Sequence, residues 1–207
     1  EDPLRDDLSE IQGAAERAIT LARQLLVFSR KQSFQQQVLN INAVFIGMQK
    51  MIRQFIKEDI RGVSDLQEGL PAVKADLVNL EQVILGLTMN VCDLMPAGGT
   101  LSISTRAVAV GEEECRGTAW AKPGEFVRLR VQGTGWRNAW EFSPQEGAGD
   151  RGTGLTLPAL YGVLRRNGGW MSVRSGEAEG TVFDVFLPVY TGREEVPAPA
   201  EEKKTPA

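Results

Sequence analysis

Three positions near the middle of this 207-residue chain could do chemistry together. Gly86, Asn90 and Asp93 are spaced by four and then three, so on a helix they share one face. Leu80, Val83, Ile84, Leu87, Val91 and Leu94 then fall on the other face and point to a core. The polar face is either turned to a ligand or simply solvated and hydrogen-bonded. Two glycine groups follow, Gly133 with Gly135 and Gly152 with Gly154. Glycine lets backbone close on a ligand such as phosphate, but it also serves turns that need positive φ for their own sake. Arg151 could reach a phosphate, although a lone basic loop residue is usually just solvated. The chain has no histidine, which excludes triads, histidine zinc sites and phosphohistidine within it. Cys92 and Cys115 are too few for a disulfide framework or a metal site. A reduced, cytoplasmic setting is the default expectation.

The elements that must position these residues can be read in order. A helix is expected from Pro3 to Gln35. Leu4, Leu8, Ile11, Ala15, Ala18, Ala22 and Leu25 alternate at spacings of four and three, and Ala14, Leu21 and Phe28 widen the seam. A stripe this wide must bury itself against another helix, and no helix of matching length lies beside it in the chain. A second helix is predicted over Asn42–Lys57. Strands follow near Ile60–Leu66 and Ala72–Lys74, and Asp76 caps a third helix reaching Met95. Thr100–Val110 and Glu125–Gln132 alternate as strands. Gly133–Gly154 reads as a loop and Leu157–Arg166 as a helix. Trp170–Ser175 and Thr181–Leu187 close as a hairpin. From Thr191 onward the Glu, Pro, Ala and Lys content reads as a disordered linker. Helices and strands mixed in this way predict an α/β fold, a two-layer sandwich with helices on one face of a mixed sheet.

Composition sets the bounds. Apolar residues make up 42% of the chain, enough for a core, and the net charge of −4 favours neither nucleic acid nor an anionic membrane. No apolar run reaches the roughly 18 residues a membrane span needs, so no membrane contact is expected of this stretch. The chain begins Glu1-Asp2-Pro3 and is expected to be a piece of a longer protein.

Five stretches in order resemble bacterial sensor histidine kinases, especially the hybrid type. Ala18–Gln32, "AITLARQLLVFSRKQ", looks like the end of the second dimerisation helix. Leu80–Gly99, "LEQVILGLTMNVCDLMPAGG", looks like the N box. Val131–Asn138, "VQGTGWRN", and Gly152–Leu157, "GTGLTL", stand where the two glycine boxes belong. Tyr161–Pro188 resembles the closing helix and hairpin. The resemblance divides the chain into a dimerisation helix (1–36), a histidine-kinase-like ATP-binding domain (37–190) and a linker (191–207) of the kind that leads to a receiver domain.

The resemblance implies a Mg-ATP site and also shows it eroded. Asn90 matches the Mg²⁺-holding Asn, and Asp93 an acidic position near the adenine pocket. Gly86 replaces another Asn usual in the family. The first glycine box is Asp-x-Gly-x-Gly; here Gly133 stands at the Asp, Gly135 at the middle Gly, and Arg137 replaces the last. Losing a charged acceptor worth about 1.5–3 kcal/mol lowers affinity roughly 10- to 100-fold. Trp136 or Trp140 could fold into the vacated cavity. Only 14 residues separate Gly135 from Asp150, a short lid. Gly152, Gly154 and Leu155 preserve half of the second box, and Thr156 replaces its final Gly. ATP binding is expected to be weak or lost, with no catalytic residue in the chain. The phosphorylated histidine of the family lies on an upstream helix.

Two functions follow as expectations. One is a pseudokinase or phosphorelay module that dimerises through Leu4, Leu8, Ile11, Ala18, Leu21 and Leu25. It would dock a response-regulator receiver domain at Arg23, Gln24, Val27, Arg30 and Lys31. The other is an active kinase passing the γ-phosphoryl of ATP to an upstream histidine. An ATPase-fold adaptor without a relay role is a third.

Overall fold

A computed structural model describes residues 34–95, 97–116, 118, 120–134, 157–176 and 179–192. The expected dimerisation and docking positions, the lid, Trp136, Arg137, Trp140, Gly135, Arg151, Gly152, Gly154 and Leu155 lie outside them.

The first strand, β1 (Gln36–Leu39), pairs antiparallel with β3 (Val73–Asp76), Gln36 opposite Asp76. Sequence reasoning carried a helix to Gln35, but Phe34 and Gln35 are not helical. The backbone N–H of Gln35 instead donates to Asp76 Oδ2 at 2.8 Å, so a long-range bond takes the place of a helical one. α1 (Ile41–Phe55) starts where the Asn40 side chain accepts from the Ala43 amide, satisfying one orphan donor of the first turn. Its Ile41, Phe45, Met48 and Ile52 are buried. β2 (Ile60–Leu66) is an edge strand, exposed along most of its length.

α2 (Leu77–Asp93) begins at the expected cap: Asp76 Oδ1 accepts from the Asn79 amide at 2.9 Å. Asp76 thus holds the chain entering the domain with one oxygen and the start of α2 with the other. Its own amide donates to Asn167 Oδ1 at 2.8 Å, just past the end of α3 (Leu157–Arg166).

The main sheet has the order β2-β4-β5-β7-β6, with β4 (Gly99–Val110), β5 (Gly124–Gly133), β6 (Trp170–Gly176) and β7 (Gly180–Pro188). β2 and β4 are parallel, as a crossover through β3 and α2 requires, and the other pairs are antiparallel. The strands are therefore mixed in direction, as expected. Alternation decides the faces. Val127, Leu129 and Val131 of β5 point to the helices and are buried with Val83, Ile84, Leu87 and Val91 of α2. α2 packs on α1, α3 and β5. That central position buries Leu85, Gly86, Thr88 and Met89 as well. The expected division of this helix into one apolar and one polar face therefore fails, because neighbours cover both flanks. Thr88 meets the burial by donating its hydroxyl to Ile84 O at 2.8 Å.

On the opposite sheet face a small aromatic core seals one end. Trp170 stacks on Phe186 at 3.9 Å between centroids, and Phe126 meets both edge-on.

Candidate nucleotide site

Of the described site residues, Gly86, Asn90 and Asp93 lie on α2 and Gly133 ends β5, which meets α2 at Val91 and at Met95 just past its end. Gly86, Asn90 and Asp93 form a gradient along one side of the helix: buried, half-buried and exposed. The Asn90 amide nitrogen donates back to Gly86 O at 2.7 Å, so it faces its own helix. Although Asp93 is exposed, neighbouring protein partly desolvates its carboxyl and pushes its pKa upward, while the Lys57 charge pulls it down. Sequence reasoning missed Lys57, which lies just past α1 and reaches this site only through the packing of α1 on α2. Between them Cys92 is buried, and that burial, with the Asp93 charge adding and Lys57 opposing, raises its thiol to about 11.

Gly133 ends β5, opposite Leu101 of β4 and Thr181 of β7. Thr134 prolongs the pairing: its amide donates to Thr100 O, and the Thr100 amide donates to Thr134 Oγ1, both at 3.0 Å. The start of the glycine box is thus held as sheet. Gly133 continues the buried parity of Val127, Leu129 and Val131, so a side chain there would point at α2. A Cβ at this position would lie 2.5 Å from Val91 Cγ1 and 2.6 Å from Met95 Sδ. Met95 is 1% exposed. The place the resemblance assigns to a purine-reading carboxylate is therefore taken up by two apolar side chains. Sequence reasoning had put Val91 in the core and had not paired either residue with Gly133. The tryptophans it considered for this cavity lie outside the described residues.

Close backbone approach explains two neighbouring glycines. Gly99 has φ 139°, and a Cβ on it would sit 2.5 Å from Thr134 O and 2.9 Å from Met95 Cε. Gly180 has φ 68° and lies against the Gly133 carbonyl with no room for a side chain. Val91, Met95 and Gly180 thus lie against Gly133, and Gly99 against Thr134.

The fold resembles that of solved histidine kinases. It matches the full-length structure of ShkA in complex with AMPPNP at a TM-score of 0.61, over 91% of this chain and 39% of that one, with 18% identity. It matches the mycobacterial sensor histidine kinase MprB at 0.55, over 75% of this chain and 98% of that one, with 19% identity. In sequence the chain is 32% identical over 215 aligned residues to the sensor kinase CckA of Brucella abortus, covering 98% of this chain. The chain spans about a fifth of that relative's length, 22%. No protein-family model matches it. Among the described residues, no helix is long and apolar enough to cross a membrane.

Proposed function

We propose that this chain is a two-component signalling module whose histidine-kinase-like domain has lost productive ATP binding and serves as a pseudokinase, in phosphorelay or in docking a response regulator. The observation that carries this reading is the filling of the Gly133 side-chain position by Val91 and Met95. A purine amino group brought there would meet methyl and thioether groups in place of a carboxylate. Burying a polar group without a partner costs about 1–3 kcal/mol, so the pocket both fails to reward adenine and penalises it. Degeneracy at Gly86, Arg137 and Thr156 acts in the same direction.

In this reading the segment 1–36 dimerises through Leu4, Leu8, Ile11, Ala18, Leu21 and Leu25. Arg23, Gln24, Val27, Arg30 and Lys31 face a receiver domain, in the cytoplasm. Calorimetric titration with Mg-ATP tests the central claim. No heat of binding at millimolar nucleotide is expected, and micromolar affinity would overturn the proposal.

A second reading, an active kinase, draws on Asn90 and Asp93 remaining outside the core, where Asn90 could hold Mg²⁺. It requires Mg-ATP bound through Asn90, Asp93 and the glycines 135, 152 and 154, with transfer to a histidine upstream of this chain. Phosphoryl transfer rests on positioning and charge neutralisation. The same titration, repeated with Asn90→Ala, separates the two readings.

A further inference from the structure

The chain enters and leaves the domain at one place. β3 is four residues long, and β1 pairs along one of its edges, Leu39 opposite Val73. Val73 also pairs antiparallel with Val189, just past the end of β7. A strand residue has one paired neighbour on each edge, so the entering and leaving segments lie on opposite edges of β3. The Tyr190 amide donates to Ala72 O at 2.8 Å, and the Val189 amide donates to Glu125 O at 3.1 Å. Val189 is thus held between β3 and the start of β5. Val73 and Ala75 are buried, which seats β3 in the core. Gln36, Gln37 and Val38 of β1 are exposed.

A second connection runs through side chains. The Gln35 amide donates to Asp76 Oδ2, and the Asp76 amide donates to Asn167 Oδ1, both at 2.8 Å. Asn167 Nδ2 donates to Val163 O at 2.9 Å, which ties this residue to α3. The next residue, Gly168, lies against the exit: a Cβ on it would be 3.6 Å from Pro188 Cγ. Asp76 and Asn167 are both buried. Entry and exit are therefore joined twice, by the backbone of β3 and by the series Asp76, Asn167 and Gly168. Both links lie at the far end of β5 from Gly133, since Glu125 is near the start of that strand and Gly133 is its last residue.

We propose that β3 and Asp76 form a clasp coupling the two ends of the domain: when the entering segment is drawn off Asp76, the leaving segment loosens at Val189 and Tyr190. The position of residues 1–34 is passed in this way to the residues after 190, through hydrogen bonds that involve no nucleotide. Two paired strands are marginally stable alone, so β1 and β3 depend on the third segment to hold them, and it depends on them. Little apolar burial fastens β1, so the entering segment is the part that opens at low cost. Its opening takes a donor from a buried carboxylate, and a buried acceptor left unmet is unfavourable. The strain falls on Asp76, whose own amide holds Asn167 beside the exit.

Amide hydrogen exchange on the full chain, read residue by residue by NMR, tests this. Gln35→Pro removes the donor at the entry and leaves Asp76 and its cap on Asn79 in place. Exchange at the Tyr190 amide should then rise by about tenfold. Coupling is reciprocal, so Tyr190→Pro, which removes the bond to Ala72, should raise exchange at the Gln35 amide by a similar factor. Leu129 and Val185, in the middle of the main sheet, should exchange as in the unaltered chain. Unchanged exchange at Tyr190 in Gln35→Pro overturns the proposal, and so does an effect in one direction only. Acceleration shared equally by Leu129 and Val185 overturns it too, because the whole fold would then be opening. None of these outcomes depends on whether the domain binds ATP.

Discussion

At Gly133 the missing side chain and its replacement can be tested together. Gly133→Asp restores the carboxylate expected of the family but drives its Cβ toward Val91 Cγ1 and Met95 Sδ. Overpacking of this kind typically costs about 1–3 kcal/mol. We expect Gly133→Asp to melt at lower temperature and to show no gain in Mg-ATP binding. Adding Met95→Ala should recover part of the lost stability, because Met95 contributes the more flexible of the two contacts. Full recovery without Met95→Ala would show that the space was available. Cys92 offers a second test. Its thiol is raised from 9.0 to about 11 by burial, so the folded state holds its proton more tightly than the unfolded chain. Its contribution is fully present below pH 9 and is lost as pH rises toward 11, at a cost of about 2–3 kcal/mol. Denaturant unfolding from pH 8 to pH 11 should show this decline, and Cys92→Ser should flatten it. At neutral pH, Cys92 should react with a maleimide far more slowly than the half-buried Cys115.

Among the elements, α2 is set by its ends and by its surroundings. Asp76 is legible as a cap because an acidic residue precedes an apolar run. Its second role, holding the Gln35 amide, is not legible, since 41 residues separate the two. Asp76→Ala should cost about 0.5–2 kcal/mol from the cap alone. It should also speed hydrogen exchange at both the Asn79 and Gln35 amides. Exchange faster at Asn79 alone would show that the chain entering the domain is anchored by other contacts. β1 escaped sequence reasoning for a related reason. Gln36, Gln37, Val38 and Leu39 have no alternation, and three of the four are exposed. Only the backbone of β3 makes them a strand. In contrast, Leu157–Arg166 was legible to the residue, with an apolar stripe at helical spacing and Gly168-Gly169 to stop it.

For the whole molecule, the heptad stripe predicts self-association. Sedimentation of the full chain should give a dimer, and Leu8→Glu with Leu25→Glu should give a monomer whose domain still melts cooperatively. A wild-type monomer would remove the dimerisation reading and leave the domain reading intact. The two faces of the main sheet carry different residues: Gly133 meets Val91 and Met95 on the helix-covered face, and Arg128, Arg130 and Arg174 gather around Asp184 on the other.

Order, type and approximate limits of the described helices and main-sheet strands follow from periodicity, capping and glycine, which are local properties. So does the expectation that the nucleotide site is degenerate, because a missing carboxylate at position 133 is visible in a string of letters. Which atoms fill the vacated space is a matter of packing between α2 and the end of β5, whose residues lie about forty positions apart in the chain. The crowding of three arginines onto Asp184 likewise depends on strand order and register, which place β4, β5, β7 and β6 side by side. Contacts between distant segments are set by the free energy of the assembled core, and no short window of sequence contains them.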